Sequence, residues 1–456
     1  MRRTVVLLVA LAVWFLTPTA VRAAGGLTFQ DGGGIHVVRV TRIDQRQYDV
    51  TVSTAALGRA VHVRVLVPSN YDQTGDRLPV LYLFHGTSGR ASDWVEQGNA
   101  ELATASLHLI VVMPDAGFDG NGGGWFTNWV DTKTALGPSR WETFHIDQLI
   151  PWVDANLRTI PARDGRAIAG LSQGGFGSMT YAARHPDLFV SAASFSGAPD
   201  IDYDPAVAAG ASGVIDATAV GLDGVEPDAM FGSRATDEIN WQGHDPADLV
   251  DNLRNVDLWL FTATGLPGPY DSSAPNPGAS GIEFATHQST EGFVQRAQQE
   301  GVPFHLVDYT YGTHSWPYWA RDLVQYLPHA MARFAAAPRA PARISYESID
   351  STWSQWGWTV VLHRSGPPQF TAVTSAGAAG FTIQGVGTAV VTTPAYYEPG
   401  SVVVVRIPGR PPVIDRIGPA GRLEVTVPLG PDVPSPAIVG VPVVPGEGVT
   451  VAVGHP

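Results

Sequence analysis

The motif Gly-Leu-Ser-Gln-Gly at residues 170–174 constrains the fold of this chain more than any other feature. The pattern G-x-S-x-G describes a sharp turn from a strand to a helix that holds a serine hydroxyl exposed. The glycines are needed because side chains there would collide with the neighbouring strand and helix. An apolar run at 166–169 precedes the motif, and a helical pattern over 176–185 follows it and stops at Pro186. The sequence therefore predicts a nucleophile elbow that presents Ser172.

Short apolar strands alternate with helical segments around this motif. Near-continuous apolar runs are typical of parallel strands that helices cover on both faces, and they occur at 79–84 and 109–113. Further strands are predicted at 189–195, 258–262 and 304–309. Helical patterns occupy 100–106 and 141–157, and a β-rich segment spans 26–68. This alternation predicts an α/β-hydrolase fold with a mostly parallel, doubly wound sheet.

A chain of 456 residues is long enough for two domains. The α/β-hydrolase domain is expected at 24–337, followed by a linker at 338–343 rich in Ala, Pro and Arg. Beyond it, short strands separated by Gly and Pro turns, with no helical pattern, predict a small all-β, sandwich-like domain at 344–456. Its tryptophans at 353, 356 and 358 either pack in the sandwich core or stack on sugars.

The N-terminus predicts export from the cell. Arg2 and Arg3 precede an apolar run over 4–16, and Val-Arg-Ala at 21–23 places small residues as a cleavage site requires, so a signal peptide is expected at 1–23. The absence of cysteine excludes disulfides and cysteine catalysis. A net charge of −14 argues against nucleic acid or an anionic membrane surface as the main partner.

A serine hydroxyl needs a general base that a third group orients. In the α/β-hydrolase order the acid follows the nucleophile and the histidine comes last, each on a loop after a later strand. His314 follows the strand predicted at 304–309 and is the expected base. Asp271 and Glu283 are both candidate acids in the loop expected after 258–262, and position slightly favours Asp271 because it lies nearer the strand end.

Two backbone N–H groups should stabilise the oxyanion. One is expected from Gln173, directly after the nucleophile, and the other from Thr87, since Gly86 lets the backbone approach closely there. His85 is expected to order this loop rather than to act as a second base. The glycine-rich stretch 117–128 lacks the Lys-Ser/Thr ending of a phosphate loop and is expected to shape the substrate pocket. No side-chain spacing typical of a metal site stands out, so neither a metal nor a cofactor is expected.

Five strings together carry a family resemblance. They are His-Gly-Thr at 85–87, Met-Pro at 113–114, Trp-Glu-Thr-Phe at 141–144, Gly-Leu-Ser-Gln-Gly-Gly at 170–175 and Thr-His-Ser-Trp-Pro-Tyr-Trp at 313–319. Over about residues 50–335 the chain resembles the secreted mycolyltransferases of the antigen 85 type and the esterase-D-type esterases. The two tryptophan-containing strings, at 141–144 and 313–319, are more specific than the elbow and favour the mycolyltransferase branch.

The resemblance implies site residues. In that branch the acid is a glutamate about thirty residues before the histidine and ten before an aromatic residue of the following helix, and Glu283 matches both spacings. It therefore implies Ser172 as nucleophile, Glu283 as orienting acid and His314 as base. Members that act on trehalose carry an Asp before the oxyanion-loop glycine and an Arg shortly after it, and this chain departs from that pattern with His85.

The expected function is that of a secreted serine ester hydrolase or acyltransferase that forms an acyl-enzyme. Its substrate would be an ester or acyl lipid, and the resemblance implies transfer to a sugar or glycerol hydroxyl. A plain carboxylesterase with water as acceptor is one alternative, since the choice depends on how well the pocket excludes water. An inactive cell-surface binding protein is another. The C-terminal domain suggests association with the cell envelope, by fold-level analogy alone.

Overall fold

The computed structural model describes residues 20–22, 26–431 and 438–454. The expected signal peptide therefore lies outside the described residues, except for a short strand that pairs with a second one near the N-terminus. The strands are β1 Ala20–Arg22, β2 Thr28–Gln30, β3 Ile35–Arg42, β4 Gln47–Thr54, β5 Val61–Leu66, β6 Val80–Phe84, β7 Ile110–Pro114, β8 Arg166–Leu171, β9 Ser191–Phe195, β10 Asp257–Ala263, β11 His305–Tyr309, β12 Ile344–Ser348, β13 Thr352–Gln355, β14 Trp358–His363, β15 Thr371–Gly377, β16 Gly380–Gln384, β17 Gly387–Thr392, β18 Val402–Arg406, β19 Val413–Arg416, β20 Glu424–Gly430 and β21 Val449–Gly454.

Helices connect the strands of the first part of the chain. They are α1 Asp93–Glu96, α2 Ala100–Ala103, α3 Ile150–Asn156, α4 Gln173–Arg184, α5 Pro205–Thr218, α6 Arg234–Gln242, α7 Pro277–Glu300 and α8 Trp316–Ala336. Segments of π-helix, Thr143–Leu149 and Ala219–Asp223, precede α3 and extend α5, and short 3₁₀ turns lie at Tyr71–Gln73, Arg163–Gly165 and Val250–Asn255. The predicted helix at 141–157 is present but contains this π segment.

A nine-stranded sheet forms the centre of the hydrolase part, in the order β11-β10-β9-β8-β6-β7-β5-β4-β3. The strands from β11 to β7 in this order pair in parallel, and β5, β4 and β3 extend the sheet through successive antiparallel pairs. The parallel part places the carboxyl ends of its strands on one edge, where the connecting loops can bring catalytic side chains together.

Strand β6 shows how the sheet is covered on both faces. All five of its residues are buried. Tyr82 and Phe84 belong to one core cluster together with residues of α3, α4 and α7, whereas Leu81 and Leu83 belong to a second cluster with Trp94 and the apolar side of α8. Because successive side chains point to opposite faces, a strand between two helical layers must be apolar throughout. The predicted doubly wound architecture is confirmed.

The part of the chain after α8 forms two antiparallel sheets, ordered β12-β15-β16-β21-β18-β19 and β13-β14-β17-β20. Their inner faces enclose a core that includes Trp353 and Trp358, which are 5% and 0% exposed. Trp356 lies against the guanidinium of Arg163 in the hydrolase part, 5.0 Å from the ring centroid. Trp353 and Trp358 are therefore core residues, as the packing alternative predicts, whereas Trp356 is partly buried.

Arg184, at the end of the elbow helix α4, joins the two parts. Its Nε donates to Glu142 Oε1 at 2.7 Å and its Nη2 donates to Asp350 Oδ2 at 3.0 Å, while its carbonyl accepts from Tyr346 and Gln355. Burial raises the pKa of Glu142, but the charges of Arg184 and a neighbouring histidine outweigh burial and hold the pKa below its ordinary value. Glu142 of the Trp-Glu-Thr-Phe string thus has a structural role.

The helical stretch Pro205–Asp223 was not predicted. It is apolar enough and long enough to cross a membrane by length and composition alone, with a mean hydropathy of 1.3, and it is the one such helix in the described part of the chain. Its sequence is rich in Ala, Gly and Val and lacks the 3.6-residue hydrophobic period of an amphipathic helix, so no helix was predicted there. Its C-terminal end contacts the active-site region.

Candidate active site

The elbow adopts the predicted conformation. Ser172 lies between β8 and α4. Its φ of +53° is a backbone conformation that residues other than glycine rarely adopt. A Cβ added to Gly170 would lie 2.2 Å from the carbonyl oxygen of Gly174, and one added to Gly174 would lie 2.3 Å from that of His85. Both glycines are therefore required by close backbone contacts, as the motif predicts.

His314 lies between β11 and α8, at the same edge of the sheet. Its Nδ1 is 2.9 Å from Glu283 Oε2, and its ring meets Trp319 edge to face at 4.9 Å between centroids. The Nε2 atom is buried and has no hydrogen-bond partner among the described residues, so the bond to Ser172 is not formed in this conformation. Catalytic hydrogen bonds are often long or absent before substrate binds.

Glu283 is 1% exposed, and both of its carboxylate oxygens accept hydrogen bonds. Oε1 accepts from Ser196 Oγ and from the backbone N–H of Ala263, each at 2.9 Å, which leaves Oε2 for His314. These donors fix the carboxylate in one orientation. The prediction that Glu283 lies in a loop is wrong, because α7 already begins at Pro277 and Glu283 lies in its second turn.

Asp271 remains in the loop after β10 but does not contact His314. Its Oδ2 accepts from the Gly268 N–H and the Tyr318 hydroxyl, both at 2.7 Å, and its Oδ1 accepts from Thr313 Oγ1. The structure thus brings Glu283, and not Asp271, to the imidazole. Asp271 holds the loop that precedes His314.

The two expected oxyanion donors lie beside the nucleophile. A Cβ on Gly86 would be 3.1 Å from Ser172 Cβ, so the loop that carries Thr87 is in close contact with the elbow. In the part of the chain that the structure describes, the backbone N–H groups of Thr87 and Gln173 donate to no protein acceptor. Unpaired backbone donors beside a nucleophile are the arrangement that an oxyanion hole requires.

His85 orders this loop. Its Nδ1 is 2.7 Å from the carbonyl oxygen of Gly86, and its Nε2 accepts from the N–H of Ala116 at 2.9 Å. Since Nε2 is an acceptor, the proton of the neutral ring is on Nδ1 and donates to Gly86. Both nitrogens are occupied by backbone, so His85 is not available as a second base.

The glycine-rich loop contributes contacts that the sequence analysis did not identify. The carbonyl of Gly122 accepts from the N–H of Ser88 at 2.7 Å, and a Cβ on Gly123 would be 2.2 Å from the side-chain amide of Gln173. The N–H of Gly123 donates to Asp223 Oδ2 at 3.2 Å, and burial raises the pKa of Asp223 to about 6. The run of three glycines at 122–124 was the sequence signal for this close packing, since the side chains of Asp223, Gln173 and Trp141 lie against it.

The comparisons with known proteins identify a family for the hydrolase part of the chain. A family model named Esterase matches residues 54–330. The chain belongs to this esterase family. It is 37% identical over 243 residues to the esterase Rv1288 of Mycobacterium tuberculosis, a match that covers 52% of this chain and 50% of that protein. The chain therefore spans about half the length of the first curated relatives that it matches.

Two further relatives match most of their own length. The diacylglycerol acyltransferase/mycolyltransferase Ag85B of Mycobacterium avium is 27% identical over 301 residues, covering 63% of this chain and 83% of that protein. The crystal structure of Mycobacterium tuberculosis MPT51 matches with a TM-score of 0.50 and 27% identity, over 64% of this chain and 99% of that one. The expected family and fold class are confirmed.

Proposed function

We propose that this chain is a serine carboxylic-ester hydrolase that forms an acyl-enzyme on Ser172, with His314 as general base and Glu283 as the acid that orients it. The observation that carries the proposal is the 2.9 Å contact between Glu283 Oε2 and His314 Nδ1, at the sheet edge where the elbow presents Ser172. A carboxylate behind an imidazole beside an elbow serine is the constellation of nucleophilic acyl transfer.

The buried carboxylate sets the tautomer of the imidazole. Glu283 accepts a hydrogen bond from the Nδ1–H group of His314, so the proton of the neutral ring stays on Nδ1 and Nε2 has a free lone pair. Nε2 takes the proton of Ser172 as Oγ attacks the ester carbonyl. The carbonyl π electrons move to oxygen, and the oxyanion accepts hydrogen bonds from the N–H groups of Thr87 and Gln173. The imidazolium returns its proton to the leaving alcohol as the C–O bond breaks, which yields the acyl-enzyme.

The second half of the reaction repeats these steps with an acceptor hydroxyl. His314 removes a proton from water, the hydroxide attacks the acyl carbon, and collapse releases the acid while the proton returns to Ser172. Glu283 stabilises the imidazolium in both halves because its negative charge is buried directly behind the ring. No residue changes its net protonation over a full cycle.

Transfer of the acyl group to a sugar or glycerol hydroxyl is a second candidate. Its support is the similarity to Ag85B, which is named as an acyltransferase and mycolyltransferase. Exposed apolar side chains also flank the loops around His314, as a surface for acyl chains would require, namely Leu266, Tyr270, Phe284 and Tyr311. The departure at His85 argues against trehalose as the acceptor.

Hydrolysis of a short p-nitrophenyl ester tests the main proposal. Wild-type protein should release nitrophenol and react with a fluorophosphonate probe, and Ser172→Ala should lose both, with at least about a 10³-fold fall in kcat. Ser354→Ala, in the β-sandwich part, is the matched control and should keep full activity. Absence of both turnover and labelling in correctly folded wild-type protein would favour the binding-protein alternative instead.

Adding glycerol or trehalose to the same reaction separates the two acceptors. Mass spectrometry should detect free acid alone if water is the acceptor, and acylated glycerol or sugar if transfer competes.

We also propose that the protein is exported after removal of residues 1–23, which N-terminal sequencing of the secreted form would test. Association of the C-terminal domain with the cell envelope remains a prediction.

A further inference from the structure

Four aspartates lie together in the interior of the hydrolase part, outside the active site. Asp200 and Asp202 follow β9, and Asp245 and Asp248 follow α6, with exposed fractions of 4%, 1%, 0% and 3%. One carboxylate oxygen from each of Asp200, Asp202 and Asp245 lies within 4.8 Å of the others. We propose that these three carboxylates bind a divalent, oxygen-preferring cation of the calcium class.

The spacing fits a single ion. Calcium binds oxygen ligands at about 2.3–2.6 Å, so two ligands on one ion are at most about 5 Å apart. The oxygens of this cluster satisfy that limit in every pair. The donors are carboxylates only, without imidazole or thiolate, and such a set prefers a hard cation to zinc or copper.

Asp248 is the second, independent observation. Its side chain lies beside that of Asp202, and apart from this carboxyl neighbour its two carboxylate oxygens have no hydrogen-bond partner among the described residues. Its nearest cationic neighbour is Arg296, whose Nη2 lies 3.5 Å from Oδ1. A carboxylate in the interior without hydrogen bonds is expensive, and a cation beside it removes most of that cost.

The charges around the cluster do not balance without an ion. Arg234 approaches from α6, but its Nη1 is bound to Glu238 at 2.8 Å. Arg234 also acts on Asp202, and Arg296 on α7 lies 3.5 Å from Asp248, so two guanidinium groups face the four aspartates and Glu238.

Backbone donors hold the carboxylates in place. Asp245 accepts from the N–H of Ile201 at 2.6 Å and from that of Ala247 at 2.8 Å, and Asp200 Oδ1 accepts from the N–H of Asp202 at 3.2 Å. Each of these oxygens keeps a lone pair for an ion. Such outer hydrogen bonds are the usual means of orienting metal ligands.

The cluster also lies where an ion would stabilise the catalytic region. The backbone N–H and carbonyl of Asp200 are bound to Ser289 Oγ on α7 at 3.0 and 2.7 Å, and Ser196 on the same loop donates to Glu283. The C-terminal segment closes the other side, where a Cβ on Gly440 would be 2.7 Å from the carbonyl oxygen of Asp202. A bound ion would thus join the loop after β9, helix α7 and the C-terminal segment.

Metal analysis and thermal unfolding of the full chain test the proposal. Protein dialysed against EDTA and then against metal-free buffer should bind about one calcium per chain by titration calorimetry. Its Tm should rise by about 5 °C or more at saturating CaCl₂. MgCl₂ should act more weakly, since magnesium dehydrates reluctantly. If neither calcium nor magnesium binds to folded wild-type protein or changes its Tm, the proposal is overturned.

Variants locate the site. Asp202→Asn and Asp248→Asn should abolish or greatly weaken the calcium-dependent rise in Tm. Asp322→Asn is the matched control, because Asp322 is also buried but is bound to Arg321 on α8, and it should keep the full response. An increase in stability of both cluster variants, with no calcium effect in wild type, would identify the aspartates as a protonated carboxyl cluster. These measurements do not depend on ester turnover, so the outcome is independent of the proposed reaction.

Discussion

Glu283 reaches His314 from within a helix: its Oε2 lies 2.9 Å from the imidazole Nδ1, and its backbone belongs to the second turn of α7. A helical position fixes the carboxylate more firmly than a loop would, because the backbone hydrogen bonds of α7 hold the residue. The bonds from Ser196 and Ala263 then leave one oxygen free for the histidine. This contact distinguishes the two candidate acids, because Glu283 contacts His314 and Asp271 does not.

Substituting the two acids in parallel tests that assignment. Glu283→Gln should lower kcat by about 10²–10⁴-fold, because the amide no longer holds the imidazole in the reactive tautomer. Asp271→Asn should keep activity within about tenfold, since Asp271 binds Thr313 and Tyr318 and not His314. Steady-state kinetics on a p-nitrophenyl ester, with circular dichroism to verify folding, measure both. A larger loss in Asp271→Asn than in Glu283→Gln would contradict the assignment.

The glycine after the elbow should not tolerate a side chain. Gly174→Ala places a Cβ 2.3 Å from the carbonyl oxygen of His85, a backbone atom that cannot move without displacing the oxyanion loop. We expect a loss of about 2–4 kcal/mol in unfolding free energy and little remaining activity. Gly210→Ala is the matched control, because nothing lies within 4 Å of a Cβ there and helix α5 should gain up to about 1 kcal/mol. Equal stability of the two variants would show that the close contact is not limiting.

The buried guanidinium between the two parts of the chain should be costly to remove. Arg184→Met leaves Glu142 buried without its main cationic partner and removes the bond to Asp350, so we expect a loss of about 3–5 kcal/mol in urea unfolding. The comparison variant is Arg59→Met, which removes the exposed ion pair with Asp119 and should cost less than about 1 kcal/mol. Similar losses in both variants would indicate that the interface is not stabilised by this network.

His145 should make the protein less stable in mild acid. Burial lowers its pKa to about 3, whereas the unfolded chain binds the proton near the ordinary value of 6.5. Between these values the unfolded state holds more protons, so this contribution to stability is lost as the pH falls below about 6.5. His145→Gln should remove about 2 kcal/mol of the decline between pH 7 and 5. Urea unfolding of wild type and His145→Gln across that pH range measures the difference. If the unfolding free energies of the two proteins fell in parallel with pH, His145 would not be the cause of the decline.

The elbow was predictable from the sequence because its requirements are local. Gly170 and Gly174 flank Ser172 within one turn. A short apolar run precedes them, and a helical pattern follows them. The same holds for the inner strands β6 and β7 of the central sheet, which are too apolar to lie at a surface. His314 was predictable from chain order, since it follows the last strand of the sheet.

The position of Glu283 was harder to predict. The loop after β10 contains Pro and Gly and carries no signal of where α7 begins, so a helical location was missed. The four buried aspartates were missed for a related reason. Asp200 and Asp202 are separated from Asp245 and Asp248 by about forty residues, and no local spacing indicates that they meet. Contacts between distant segments depend on how helices pack, which a single sequence does not show.

The sequence by itself determined the fold class, the family, the nucleophile motif and the expected base, because each depends on short-range periodicity or on steric demands within a few residues. The tertiary structure decided which carboxylate contacts His314, that His85 holds a loop, and that Trp353 and Trp358 are core residues. It also brought four carboxylates together in the interior. Those outcomes depend on the positions of segments that the chain separates and that the packing of helices against one sheet brings into contact.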